Sequence, residues 1–256
     1  MGQRFELGGK VAIVTGAARG IGYATATELA RRGSIVVVVD LDPDAASAAA
    51  AGLPGTAIGL AADVTDRGAM QRVVAEAVER FGGVDVVVAN AGIASRGATF
   101  RAMSGETFDR VLDVNLNGVG ATPYAMSKAG VEQLGRALRV ELAQHGAGAS
   151  VAYFGFIDTA MVHQALDDDP LGSRLKEAQP AWLMKRLQPA AAGKAIVAGI
   201  ERRAPRIIRP RRWAAFSVLR GIVNPLLDRS MARQAEIQDI ARELDKRGDE
   251  EQTTTA

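Results

Sequence analysis

The chain has 256 residues, 48% hydrophobic and 23% charged, which suits one large soluble α/β domain and excludes a disordered segment. Its net charge of +2 gives no global support for nucleic-acid binding, and no nucleic-acid partner is expected. With no cysteine and two histidines, His145 and His163, disulfides and thiolate metal sites are excluded and no metal site is expected.

Apolar runs alternate with helical patterns from the start, which predicts βαβ units around a parallel sheet. Strands are read at 10–15, 34–40, 57–61, 84–89, 150–154 and 206–209. Helices fall near 20–32, 44–51, 66–81, 106–117, 124–145 and 189–203. Asp44 and Asp66 stand where N-caps are needed, and Gly33, Gly82 and Gly146 where helices stop. The nearly all-alanine run 45–51 has no strong face and predicts a short, exposed helix. There is no internal repeat or linker, so 1–210 reads as one dinucleotide-binding domain. Residues 211–256 read as a helical extension packed on that domain or on a partner, with a frayed tail after Arg247. Met1 to Gly9 lacks the apolar core of a signal peptide and no run reaches spanning length, so a cytoplasmic location is expected.

The first chemical signal follows the first strand. The run Val11-Ala12-Ile13-Val14 enters Thr15-Gly16-Ala17-Ala18-Arg19-Gly20-Ile21-Gly22, and a helical pattern leaves it. A strand passing through a glycine-rich turn into a helix presents backbone N–H groups, those of Ile21 and Gly22 among them, to a pyrophosphate. Gly16 permits the tight turn, Gly20 lets phosphates approach, and Gly22 lets helix and strand pack closely. The second strand ends in Asp40, about twenty residues on, where an acid that binds a ribose hydroxyl belongs. A carboxylate there repels a 2′-phosphate, whereas Arg19 in the loop attracts one. The charge at Asp40 is the harder to avoid, so NAD is expected in preference to NADP.

Three further stretches sit at strand ends or on a helix. Asp63-Val64 follows the third strand, where the acid either bonds an adenine amine or caps the next loop. Asn90-Ala91-Gly92 follows the fourth, a small-residue turn that lets backbone lie against a cofactor. Tyr124 and Lys128 are four apart and share one face of a helix. A nearby ammonium favours phenolate, so such a tyrosine can exchange a proton with a substrate oxygen near neutral pH.

Taken together, the glycine loop at 15–22, Asp63-Val64, Asn90-Ala91-Gly92, Asn115 within Val114-Asn115-Leu116-Asn117-Gly118, and Tyr124 with Lys128 resemble the short-chain dehydrogenase/reductases. The resemblance runs from about residue 8 to 210 and implies a Rossmann-like doubly wound parallel sheet. It implies Tyr124 as general acid/base, Lys128 on the nicotinamide ribose, and Asn115 holding a relay water. Ile157 and Thr159 would hold the carboxamide, in Phe154-Gly155-Phe156-Ile157-Asp158-Thr159, where Phe154 replaces the usual proline. The segment 160–188 would be a mobile substrate lid, and Trp182, Leu183, Met184 and Leu187 favour a small apolar alcohol or ketone. A homo-oligomer is expected.

One part of that pattern is missing. The family places a helix, a fifth strand ending in a catalytic serine, and a loop between its asparagine and tyrosine. Here Asn115 and Tyr124 are nine positions apart. Roughly thirty residues are absent, judged from half a helix, one strand and a loop. Ser127 belongs to the Tyr-Lys motif, Thr122 is too close to Tyr124, and Ser95 lies in another loop. A helix over 106–117 descends about 18 Å, and the link 118–123 returns about 20 Å at most. Strand 150–154 must then move beside 84–89, or the sheet carries a slot. A lost hydroxyl of this kind is worth about 10²–10³ in rate. Two readings follow: an oxidoreductase acting on an alcohol or a carbonyl, or a catalytically impaired dinucleotide-binding protein.

Near the C-terminus, Arg202, Arg203, Arg206, Arg209, Arg211, Arg212 and Arg220 interleave with Trp213, Phe216 and Leu219. Such a basic amphipathic segment, 202–227, either contacts an anionic membrane surface or packs its apolar face on protein. The charge-alternating stretch 231–246 predicts a plain solvent-exposed helix.

Overall fold

The computed structural model describes residues 4–93 and 121–210, with 105, 106, 110, 114, 212, 214, 233–236, 239, 240, 242, 243 and 246 beyond them; for 121–127 and Leu183 only the backbone is described. The chain divides into two units. The first comprises 1–92, 133–152 and 188–207, and the second 93–132, 153–187 and 208–256.

In the first unit, β1 (Val11–Thr15), β2 (Ile35–Asp40), β3 (Ala57–Ala61) and β4 (Val86–Val88) form a parallel sheet in the order β3-β2-β1-β4. Their near-continuous apolar runs are what a sheet covered on both faces requires. Ala12, Val14, Val36 and Val38 point to one face, where they meet α1 (Gly20–Arg31), α2 (Pro43–Ala51) and α8 (Pro189–Glu201) through Ala26, Leu29, Ala46, Ala49 and Val197. Val11, Ile13, Val37 and Val39 point to the other, against Ala69, Val73 and Ala77 of α3 (Arg67–Phe81). The period-2 alternation of β1 and β2 therefore sorts two cores, the doubly wound α/β arrangement read from the sequence.

The expected helix stops hold: Gly33, Gly82 and Gly146 all take positive φ, at 81°, 84° and 69°. Asp66 caps α3 by accepting from the N–H groups of Gly68 and Ala69. At α2 the cap is Asp42 rather than Asp44: its carboxylate accepts from the N–H groups of Asp44 and Ala45, and Pro43 occupies the first turn. Nor is α2 simply exposed. Ala46, Ala49 and Ala50 are buried, because side chains this small let the helix backbone settle on β3. A Cβ at Gly59 would meet Ala46 O and come within 2.6 Å of Ser47 N.

A 21-residue helix, α4 (Ala121–Glu141), runs on through a 3₁₀ turn to Gly146. Strand β5 (Val151–Phe154) pairs with β6 (Arg206–Arg209) in a separate two-stranded sheet. The N–H groups of Val151 and Gly155 donate to Pro205 and Arg209 at a constant offset, the mark of parallel pairing. Strand 150–154 has therefore not moved beside 84–89: among the described residues no ladder joins β5 to β4. The predicted helix 106–117 lies outside the described residues apart from Glu106, Arg110 and Val114, which are helical. The tail after Arg247 and most of 211–232 also lie outside them.

In the second unit the expected lid consists of three short helices, α5 (Ala160–Leu166), α6 (Pro170–Glu177) and α7 (Ala181–Met184). Its two ends meet: Ile157 bridges Leu187, Asp158 N–H donates to Leu187 O at 2.9 Å, and Leu187 N–H donates to Phe156 O at 2.9 Å. The stretch 231–246 is not a plain exposed helix. Glu236 and Glu243, seven apart, both accept from the Arg174 guanidinium of α6, at 2.8 and 2.6 Å. Ile240 between them is buried to 4% exposure. Alternating charge concealed one apolar contact point.

Candidate functional site

The C-terminal ends of β1, β2 and β4 gather the glycine loop, Asp40 and Asn90-Ala91-Gly92, as expected in a sheet wound this way. Gly16 and Gly20 both have φ of 60°, conformations that glycine adopts at little cost. A Cβ on Gly16 would stand 2.8 Å from Ala91 Cα. One on Gly22 would meet Gly16 O, Asn90 Nδ2 at 2.6 Å and Ala17 Cα at 2.9 Å. The loop is thus a cradle that side chains would fill, and α1 behind it has no side-chain cap on its first turn. Backbone donors at a helix N-terminus behind a glycine turn fit the pyrophosphate of a dinucleotide.

Two side chains hold that cradle in shape. Asn90 Nδ2 donates to Thr15 O at 2.9 Å and Gly16 O at 3.1 Å, tying the end of β4 to the glycine turn. The Thr15 hydroxyl accepts from the N–H groups of Asn90 and Ala91, each at 3.1 Å. The sequence reading treated 90–92 as a passive small-residue turn and overlooked Thr15. Its signal was a hydroxyl at the last position of an otherwise apolar strand.

At the end of β2, Asp40 Oδ2 accepts from Ala18 N–H at 3.0 Å and Oδ1 from Leu41 N–H at 2.9 Å. These bonds fix the carboxylate beside the glycine loop, while Arg19 is exposed. Asp63, also exposed, accepts from the Thr65 N–H and hydroxyl at 2.9 and 2.8 Å, so it caps the next loop. Val64 beside it is half-buried.

The other site residues lie in the second unit. Tyr124 and Lys128 are one turn apart on α4, as their spacing requires. Lys128 keeps much of its surface exposed, yet desolvation by neighbouring atoms lowers its pKa from the ordinary ammonium value. Ile157 is buried to 4%, and the Thr159 hydroxyl donates back to Ile157 O at 3.4 Å. Asn115 lies outside the described residues.

Next to that turn stands a charged cluster the sequence reading did not single out. Arg186 holds Asp167 with both terminal nitrogens, at 2.6 and 2.7 Å, and Lys176 adds a third bond at 3.0 Å. The Arg186 guanidinium, then the Lys176 ammonium, hold the Asp167 carboxyl well below the usual range. His163 lies between two carboxylates, Nε2 at 2.9 Å from Asp158 and Nδ1 at 2.7 Å from Asp167. The four-residue step from His163 to Asp167 on a helix was its one sequence signal.

Comparison with known proteins agrees with this geometry. The short chain dehydrogenase family profile matches residues 10–122. The chain is 34% identical over 218 positions to the short-chain reductase protein NovJ of Streptomyces niveus, covering 72% of this chain and 80% of that one. It is also 34% identical over 210 positions to the 3-oxoacyl-acyl-carrier-protein reductase FabG of Thermotoga maritima, covering 65% and 85%. A crystal structure of a short-chain type dehydrogenase/reductase from Mycobacterium marinum superposes with a TM-score of 0.68 at 26% identity, covering 79% of this chain and 94% of that one. Covering 72% of 256 residues means about 184, so the NovJ alignment has about 34 positions this chain does not fill.

Proposed function

The chain belongs to the short-chain dehydrogenase/reductase family of oxidoreductases, and from that premise we propose an NAD-dependent enzyme that interconverts an alcohol and a ketone or aldehyde. The observation that carries the choice of cofactor is the Asp40 carboxylate, fixed by Ala18 and Leu41 beside the glycine cradle. A ribose 2′-hydroxyl can donate to it, and a 2′-phosphate meets like charge.

In this reading Gly16, Arg19, Gly20, Ile21 and Gly22 bear the pyrophosphate, Asp40 the adenosine ribose, and Val64 with Asp63 the adenine, the Asp63 carboxylate accepting from the adenine amine as well as capping the next loop through Oδ1. Asn90, Ala91 and Gly92 line the path to the nicotinamide, and Ile157 and Thr159 hold its carboxamide. The bound nicotinamide supplies or accepts the hydride. Tyr124 gives its phenolic proton to the carbonyl oxygen in reduction and takes it back from the alcohol in oxidation. Lys128 favours the phenolate by its charge, and Asn115 holds a water that replenishes the proton. The exposed faces of Met161 and Trp182, at 41% and 51%, support an apolar substrate. Exposed Leu134 and Val140 on α4 support assembly with a second copy.

A second reading is favoured by one observation, the nine-position spacing that leaves no residue for the catalytic serine. Under it the protein binds the dinucleotide and does not turn over. One experiment separates the two: titrate NADH by protein fluorescence and assay secondary alcohols and ketones, with Tyr124→Phe alongside. Binding with turnover that Tyr124→Phe nearly abolishes supports the enzyme. Binding without turnover supports the silent binder, and turnover retained in Tyr124→Phe removes Tyr124 from the mechanism.

A further inference from the structure

We infer that the edge of the first unit where β1, β5 and β6 begin is a docking surface for an anionic phospholipid membrane. Arg139, in the last turn of α4, donates through Nη1 to Ala149 O at 2.7 Å and through Nη2 to Arg203 O at 3.1 Å. Arg203 donates to Gly146 O at 2.9 Å, and its guanidinium lies 5.5 Å from the centre of the Phe5 ring. Lys10, which precedes β1, stands 5.9 Å from the same ring. Arg202 ends α8 and Arg206 begins β6, on either side of Arg203 in the chain. Arg202, Arg203 and Arg206 are exposed, and Arg139 is half-buried.

What marks this edge is charge without compensation. Lys10 is paired with Asp85 at 2.8 Å, Arg32 bridges Glu28 and Glu201, and Arg31 reaches Glu28 at 3.9 Å. The exposed Glu6 and Glu141 have Arg4 and Arg136 on their own segments. Among the described residues no ion pair reaches Arg139, Arg202, Arg203 or Arg206. The bonds of Arg139 and Arg203 go to backbone carbonyls, which orient a guanidinium and leave its charge in place. Arg203 even holds φ of 49°, a conformation that glycine adopts at lower cost. A local positive field therefore stands on a chain whose net charge is only +2.

Phosphates complement such a field, and what is interleaved with the arginines favours lipid over nucleic acid. The Phe5 ring is taken by two cations, so it is not free to stack on a base. The sequence after β6 goes on to Trp213, Phe216, Leu219, Ile222 and Val223, aromatic and aliphatic residues that suit the boundary of headgroups and acyl chains. Lys10 stands at the opposite end of β1 from the glycine turn, so docking through this edge leaves that turn open to solvent. The inference does not depend on what the turn binds.

The test is sedimentation of the full chain with vesicles of mixed phosphatidylserine and phosphatidylcholine, and with vesicles of phosphatidylcholine alone. The wild type is expected to sediment with the mixed vesicles only, and to be released as added salt shortens the Debye length. An arginine near an anionic surface is worth about fivefold in affinity, so Arg202→Ala/Arg206→Ala is expected to bind about 25-fold more weakly. Arg72→Ala/Arg80→Ala removes the same charge from α3 and is expected to bind as the wild type does. Thermal melts check that both double variants fold, and the lipid and salt comparisons need no variant. Three results overturn the inference: no sedimentation with the mixed vesicles, equal sedimentation with phosphatidylcholine alone, or equal binding by the two double variants. So does release of the vesicle-bound protein by a duplex oligonucleotide at matched phosphate concentration, which assigns the edge to nucleic acid.

Discussion

Replacing Gly22 by alanine sets two known effects against each other. Gly22 is the third residue of α1, and a helical alanine is favoured over glycine by up to about 1 kcal/mol. The new methyl, however, would meet Gly16 O, Asn90 Nδ2 at 2.6 Å and Ala17 Cα at 2.9 Å. Two of those are backbone, and the third is pinned by bonds to Thr15 O and Gly16 O. Overpacking costs about 1–3 kcal/mol, and with no flexible neighbour to yield the upper value applies. The balance is a loss of about 2 kcal/mol, or a Tm lower by about 4–8 °C for a chain of this size. Gly68→Ala is the control, because a methyl there meets only the side-chain ends of Asp66 and Arg72, at 3.2 and 3.4 Å. It should leave the Tm unchanged or raise it by up to about 3 °C. Thermal melts of both variants give the answer. A Gly22→Ala protein as stable as the wild type would refute the packing argument and the reading of the cradle with it.

Two further expectations come from the second unit. Asp167 is held below the usual carboxylate range, so the folded chain binds fewer protons there than the unfolded one. Its contribution is complete above about pH 4 and is lost as the pH falls further toward its folded value. Urea midpoints should therefore fall more steeply below pH 4 in the wild type than in Arg186→Ala; equal slopes would remove Arg186 as the main cause. Arg174→Ala breaks the pairs to Glu236 and Glu243, which are exposed and so add little to stability. It should barely move the Tm yet speed protease cleavage within 231–246 severalfold; an unchanged cleavage rate would count against the tether.

What was legible in the sequence followed the strength of each local signal. Strands 34–40 and 57–61 and the stops at Gly33, Gly82 and Gly146 were readable because short continuous apolar runs and left-handed glycines leave few alternatives. The seat of α2 was not, since Ala46, Ala49 and Ala50 have too little side chain to mark a face; what buries them is Gly59, on the next strand. Asp42 displaced Asp44 as the cap because Pro43 fixes the first turn one residue earlier. The segment 160–188 reads only as a mobile lid, because its three helices are shorter than a periodic pattern can reveal and the ion pairs around it join residues up to twenty-eight apart. In the cradle the glycines were visible by spacing. The bonds of Asn90 and Thr15 were not, because they cross 75 residues of sequence.

The account rests most on the Asp40 carboxylate beside the glycine loop, and parallel titrations of NADH and NADPH by protein fluorescence test it most directly. The expected result is NADH binding at least tenfold more tightly, about 1.4 kcal/mol, with the difference shrinking in Asp40→Ala. A carboxylate held by two backbone N–H groups cannot easily turn away from a 2′-phosphate. Tighter binding of NADPH by the wild type would mean that Arg19 governs the site, and would contradict the assignment.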